Sequence, residues 1–161
     1  MRPLTIDALI ALQSFVVAFI ALHDWAPLGA LNDVSAVQAA DPRRKLIVVT
    51  ALSTAPFAFG LGATIAYAGA RFPGWLTWYL WISYGLAVYG LWRAWWGPYF
   101  LGGAAARAIR YQAMFGRTHA FLPERNGIRP NTLHVTLHVV VIAILVLLGF
   151  LSFSMPQVTP A

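Results

Sequence analysis

Positions 133 to 154 carry no Asp, Glu, Lys or Arg, and this run constrains the chain more than any other feature. As an α-helix it rises about 33 Å at 1.5 Å per residue, enough to cross a hydrocarbon core of about 30 Å. Three more runs share the pattern, at about 5–22, 46–70 and 75–99, with at most one or two charges near their ends. Together the four runs predict an all-α fold, an integral membrane four-helix bundle, in one domain of 161 residues. Composition agrees: 60% of the residues are hydrophobic and 10% charged, against about 25% charged in soluble domains. The absence of cysteine excludes disulfides, thiolate metal sites, iron–sulfur clusters and thiol redox chemistry. The formal charge of +6 does not point to nucleic acid, because the bases flank apolar runs. There they act as topology signals and contacts to anionic lipid headgroups.

The first run reads as a retained span, not a cleaved leader. Only Arg2 precedes it, Asp7 sits in its first turn, and no small-x-small site comes before His23. Thr5 is its expected N-cap. Asp41-Pro42 marks the next helix start, and Arg43, Arg44 and Lys45 anchor it at the interface. In the second run Thr54, Ala58, Gly62, Ala66 and Ala70 recur every four residues. Such a small-residue ladder allows close helix approach in lipid, within the bundle or to a homo- or hetero-oligomeric partner. Pro56 removes a backbone donor in the same run.

Six of the seven tryptophans fall in the third run, with Trp75 and Trp78 near one end and Trp92, Trp95 and Trp96 near the other. That is the distribution of two interfacial belts. Between spans three and four, residues 103–115 predict a short basic amphipathic helix lying on the membrane, ended by Gly116. Pro123-Glu124-Arg125-Asn126-Gly127 reads as a turn, and Pro130-Asn131-Thr132 caps the last span. A short tail with Pro156 and Pro160 follows.

Four spans place the 23–44 and 99–132 segments on one side, with the termini and the 71–74 turn on the other. Nine bases fall on the loop side (Arg43, Arg44, Lys45, Arg93, Arg107, Arg110, Arg117, Arg125 and Arg129) and two, Arg2 and Arg71, on the other. The positive-inside rule then predicts a plasma-membrane protein with cytoplasmic loops and both termini outside.

All four histidines, His23, His119, His134 and His138, fall on or just within that inner side. His134 and His138 stand four apart at the start of the last helix, so both imidazoles project from one face. This spacing suits shared ligation of Zn, Fe or Cu, with His23 and His119 completing the set. Asp24 or Glu124 is the expected acid–base partner for a metal-bound water. The alternative cofactor is haem held between His23 and His138. The HxxxH pair resembles one histidine box of the membrane desaturases and hydroxylases. Those families carry several boxes and this chain has one pair, which under-supplies a di-iron centre. Arg93, Arg107, Arg110, Arg117 and Arg129 form a basic inner face suited to the phosphate of a cofactor or lipid headgroup. Two functions follow: a metal-dependent membrane enzyme acting on a lipid-like substrate, or a non-catalytic subunit or scaffold packing through the ladder and the aromatic span.

Overall fold

The structure is a computed structural model, and it describes residues 4–154. Arg2 and the Pro156–Pro160 tail lie outside the described residues. All regular structure among the described residues is helical, apart from one isolated bridge between Arg125 and Ile128. The helices are α1 (Leu4–Leu22), α2 (Val34–Ala40), α3 (Arg43–Ala66), α4 (Gly74–Leu91), α5 (Gly97–Leu101), α6 (Ala105–Phe115) and α7 (Thr132–Ser154). α1, α3, α4 and α7 pack in a ring, each against the next, and α7 closes back on α1. Three of these, α1, α3 and α7, are long and apolar enough to cross a membrane. α4 has the length, but its tryptophans and tyrosines carry polar N–H and O–H groups that lower its mean hydropathy.

The core follows from helical spacing. On α1 the buried residues are Ile6, Leu9, Gln13, Val16 and Phe19, three or four apart, as one helix face requires. They meet Leu76, Leu80 and Tyr84 of α4 and Leu137, Val141, Ile144 and Leu148 of α7. Burial of this apolar surface against neighbouring helices, rather than hydrogen bonding, fixes the ring in place.

Several expectations change. Leu4 is already helical, so Thr5 lies within α1 and does not cap it. Asp41 does not cap α3; Pro42 occupies that position with no side-chain cap. The Asp41 carboxylate instead binds Lys45 at 2.7 Å and Arg110 of α6. Helix α3 stops at Ala66, so Ala70 lies in the following turn. The small-residue ladder does not pack the bundle: Ala58, Gly62 and Ala66 are exposed, with nothing within 4 Å of a Cβ built on Gly62. Close approach occurs one face away, at Gly60, where an added Cβ would sit 3.1 Å from Leu80 Cδ2. α3 runs without a break through Pro56, whose carbonyl accepts a 2.8 Å bond from the Tyr79 hydroxyl.

Between α4 and α5 the chain makes one wide π turn, Trp92–Trp96, in which the Gly97 N–H donates to the Trp92 carbonyl. The extra residue shifts the helix register by one position. Trp95 is buried and Trp96 half-buried, while Trp92 is exposed, as are Trp75 and Trp78 at the other end. The second tryptophan belt is thus reduced to one member.

The segment 116–131 folds back over the end of the bundle. Asn126 and Gly127 both have positive φ, 52° and 72°, and form the tight turn across which Arg125 and Ile128 exchange backbone hydrogen bonds. Ile128 inserts between Trp95 and Tyr99. Ion pairs clamp the two loop segments together: Arg110 to Asp41, and Arg117 to Asp33 at 2.7 Å. α6 presents Ala108, Tyr111 and Phe115 to the bundle and leaves Ile109 exposed.

Candidate functional site at the histidine end of the bundle

His23 ends α1 and His134 opens α7, and the antiparallel packing of these helices brings them level. Their ring centroids lie 5.7 Å apart, edge to face. Phe19, Trp95 and Phe115 surround His134, with centroids at 5.9, 4.7 and 5.1 Å. The buried Trp95 belongs to the π turn.

Hydrogen bonding sets the protonation pattern. The His134 backbone N–H donates to an Asn131 side-chain atom at 2.9 Å, so that atom is the amide oxygen, Oδ1. His134 Nδ1 lies 2.7 Å from the same oxygen, so Nδ1 must carry its hydrogen. When the ring is neutral, this leaves Nε2 with its lone pair uncommitted. His23 Nδ1 lies 2.9 Å from the Phe19 carbonyl, which only accepts, so this Nδ1 also carries hydrogen. His23 Nε2 faces Asp24 Oδ1 at 3.2 Å. This is a close contact between a ring nitrogen and a carboxylate oxygen, without hydrogen-bond geometry. Burial raises the Asp24 carboxyl above its ordinary pKa of 3.8, nearby Asp41 adds to the rise, and His23 works against it. The loop that carries this pair is held by Asn32, whose amide donates to the His23 carbonyl at 2.6 Å and the Ala26 carbonyl at 2.8 Å.

His138 lies one turn deeper, 3% exposed, with its ring 5.6 Å from Trp96 and neither ring nitrogen partnered. His119 stands apart: its Nδ1 is 2.7 Å from Thr132 Oγ1, and its backbone N–H donates to Ala30. Glu124 is exposed on the 123–127 turn, and no hydrogen bond or ion pair among the described residues ties it to the imidazoles. Among the described residues, no group of three or more His, Asp or Glu side chains is arranged to hold a metal ion.

The arginines do not converge either. Arg110 and Arg117 pair with Asp41 and Asp33. Arg107 donates to the Arg93 carbonyl at 2.9 Å, and Arg129 to the Ala120 carbonyl at 3.0 Å. Arg125 lies 5.7 Å over the Phe100 ring. These contacts brace the loops and leave the Arg93 side chain exposed.

Two buried polar residues also stand out, Gln13 within the bundle and Asn131 at the loop end. Gln13 is fully buried with both amide atoms unpartnered, and it faces the Tyr84 hydroxyl without reaching hydrogen-bond geometry. Asn131, which sets the His134 tautomer, announced itself in the sequence only as a helix cap. The roles of Trp95 and Trp96 had no sequence signal, since a π turn leaves none.

The fold is an all-helical bundle with three helices long and apolar enough to cross a membrane, and at one end His23 contacts both His134 and Asp24. No known protein family, curated protein or solved structure matches the chain.

Proposed function

We propose that this chain is an integral membrane protein of four spans, with α4 as the fourth. Its 23–44 and 99–132 segments face the cytoplasm and its termini face outward. We also propose that its chemistry is acid–base chemistry at the inner membrane boundary. In this reading Asp24 and His23 hold a proton between them, and the neutral His134 ring offers Nε2 as the acceptor beside it. A substrate reaching this boundary with an ionisable or amphiphilic group would exchange a proton there. The observation that carries the reading is the double acceptance by Asn131 Oδ1, which fixes the His134 tautomer and leaves Nε2 free.

The basic loops, packed at one end of the ring, support the orientation. Reporter fusions at either terminus test it, and a cytoplasmic terminus would reverse it. The acid–base reading is tested by nitrogen NMR of histidine-labelled protein in detergent. The expected spectrum shows His134 with a protonated Nδ1 and an unprotonated Nε2, and Asn131→Ala abolishes that preference. A His134 signal from the opposite tautomer would overturn the proposal.

A metal ion is the second reading, favoured by the same uncommitted Nε2 lone pair. Metal and haem content of detergent-purified protein decides it, compared between wild type and the His134→Ala/His138→Ala variant. Sub-stoichiometric content in both would remove it. The outward ladder of Ala58, Gly62 and Ala66 on α3 supports a partner helix, in a second copy or another subunit.

A further inference from the structure

A cavity of about 720 Å³ lies at the end of the bundle opposite the histidines. Ile6, Trp78, Trp81, Leu148 and Leu151 form its apolar walls. Its volume lies within the roughly 300–1,000 Å³ of small-molecule sites. Trp78 is 70% exposed, so one wall faces outward from the ring instead of into the core. Besides Arg71 the cavity's polar side chains are Thr77 and Ser152, and Ser152 is already committed. Its hydroxyl accepts from Trp81 Nε1 at 3.3 Å and donates to the Leu148 carbonyl at 2.7 Å. What remains for an occupant is mainly apolar surface, the Thr77 side chain and one cation, Arg71, in the turn between α3 and α4. Arg71 makes no ion pair among the described residues.

We propose that this cavity binds an anionic phospholipid of the outer leaflet, with an acyl chain between α4 and α7 and the phosphate on Arg71. The charge argues for this occupant: a guanidinium at headgroup level, above a largely apolar slot, complements an amphiphile with a negative head. Arginine also matches phosphate oxygens in paired hydrogen bonds. The proposal rests on the four-span reading, which puts Arg71 at the outer headgroups.

The test uses the full chain reconstituted in vesicles of phosphatidylcholine, with brominated acyl chains supplied on either phosphatidylglycerol or phosphatidylcholine. Bromine quenches nearby tryptophan, and Trp78 and Trp81 line the slot. The expected result is a saturable quenching component with about five-fold preference for phosphatidylglycerol, the factor one basic side chain contributes near an anionic lipid. Arg71→Ala should remove the preference, and Trp78→Phe/Trp81→Phe should remove the saturable component. Equal quenching by both lipids in wild type and Arg71→Ala would overturn the proposal, leaving a non-selective lipid surface. Failure of the four-span reading looks different: no tryptophan, including exposed Trp75 and Trp92, would then be quenched by either lipid.

Discussion

Replacing Gln13 by leucine should stabilise this protein, although Gln13 is among its most buried residues. The side chain is 0% exposed and neither amide atom has a partner. Its surroundings are Leu9 and Val16 on its own helix face and the apolar residues of α4 and α7. Burying an unpaired amide costs about 1–3 kcal/mol on the scale of protein mutations. Leucine occupies a similar volume, so little cavity or overpacking term opposes the gain. The expected net effect is about 1–3 kcal/mol of added stability. For a chain of this size that raises the melting midpoint by roughly 2–12 °C, at about 2–4 °C per kcal/mol. Thermal unfolding in detergent, followed by circular dichroism, measures it. The neighbouring Tyr84 hydroxyl supplies the control. It is also unpartnered, so Tyr84→Phe should stabilise on its own. A loss of 1 kcal/mol or more in Gln13→Leu, with strong coupling to Tyr84→Phe, would refute the reasoning. It would mean that the two groups bond to each other, directly or through a bound molecule.

Two further predictions concern the loop end. Gly127→Ala should destabilise the protein by about 2–4 kcal/mol, the sum of a left-handed backbone cost of about 1–2 and a packing clash of similar size. The added Cβ would meet Ala108 at 2.8 Å while φ stays at 72°. Chemical denaturation measures the loss, and a change below 0.5 kcal/mol would contradict this placement of the turn against α6. The aspartates should titrate with opposite signs. Asp41 is lowered from its ordinary 3.8, first by its hydrogen bond from Lys45 and then by Arg110. Its contribution is therefore present above pH 3.8 and fades as pH falls through the lowered value. Because the partners are exposed, it amounts to about 1 kcal/mol at most, and Asp41→Asn should erase that loss from the acid limb. Asp24 is raised by burial, so its cost appears as pH climbs above 3.8. Asp24→Asn should therefore increase stability at neutral pH. Melting curves from pH 3 to pH 7 separate the two, and equal responses of both variants would count against them.

The sequence by itself determined the helices. Long apolar runs have few ways to satisfy their backbone in lipid, but α1 and α7 are apolar all round, so the sequence does not mark their inward faces. Asn126-Gly127 is legible as a tight turn, because both positions need positive φ. The clustering of polar loops at one end followed from counting spans. Local pattern misled where more than one partner was open to a residue. Asp41 looked like a cap but pairs with Arg110, a residue far along the chain. The small-residue ladder looked like a packing face, yet the ring uses Gly60 instead, since the rotation of a helix depends on its neighbours. Trp95 and Trp96 looked interfacial, but within the π turn Trp95 is buried and Trp96 half-buried. The site itself belongs to tertiary structure in the same sense. His23 and His134 are more than a hundred positions apart, and only the antiparallel contact of α1 with α7 sets their rings 5.7 Å from each other. Hydropathy along the chain records which runs are apolar, whereas the meeting of two particular side chains depends on how every other helix has already packed.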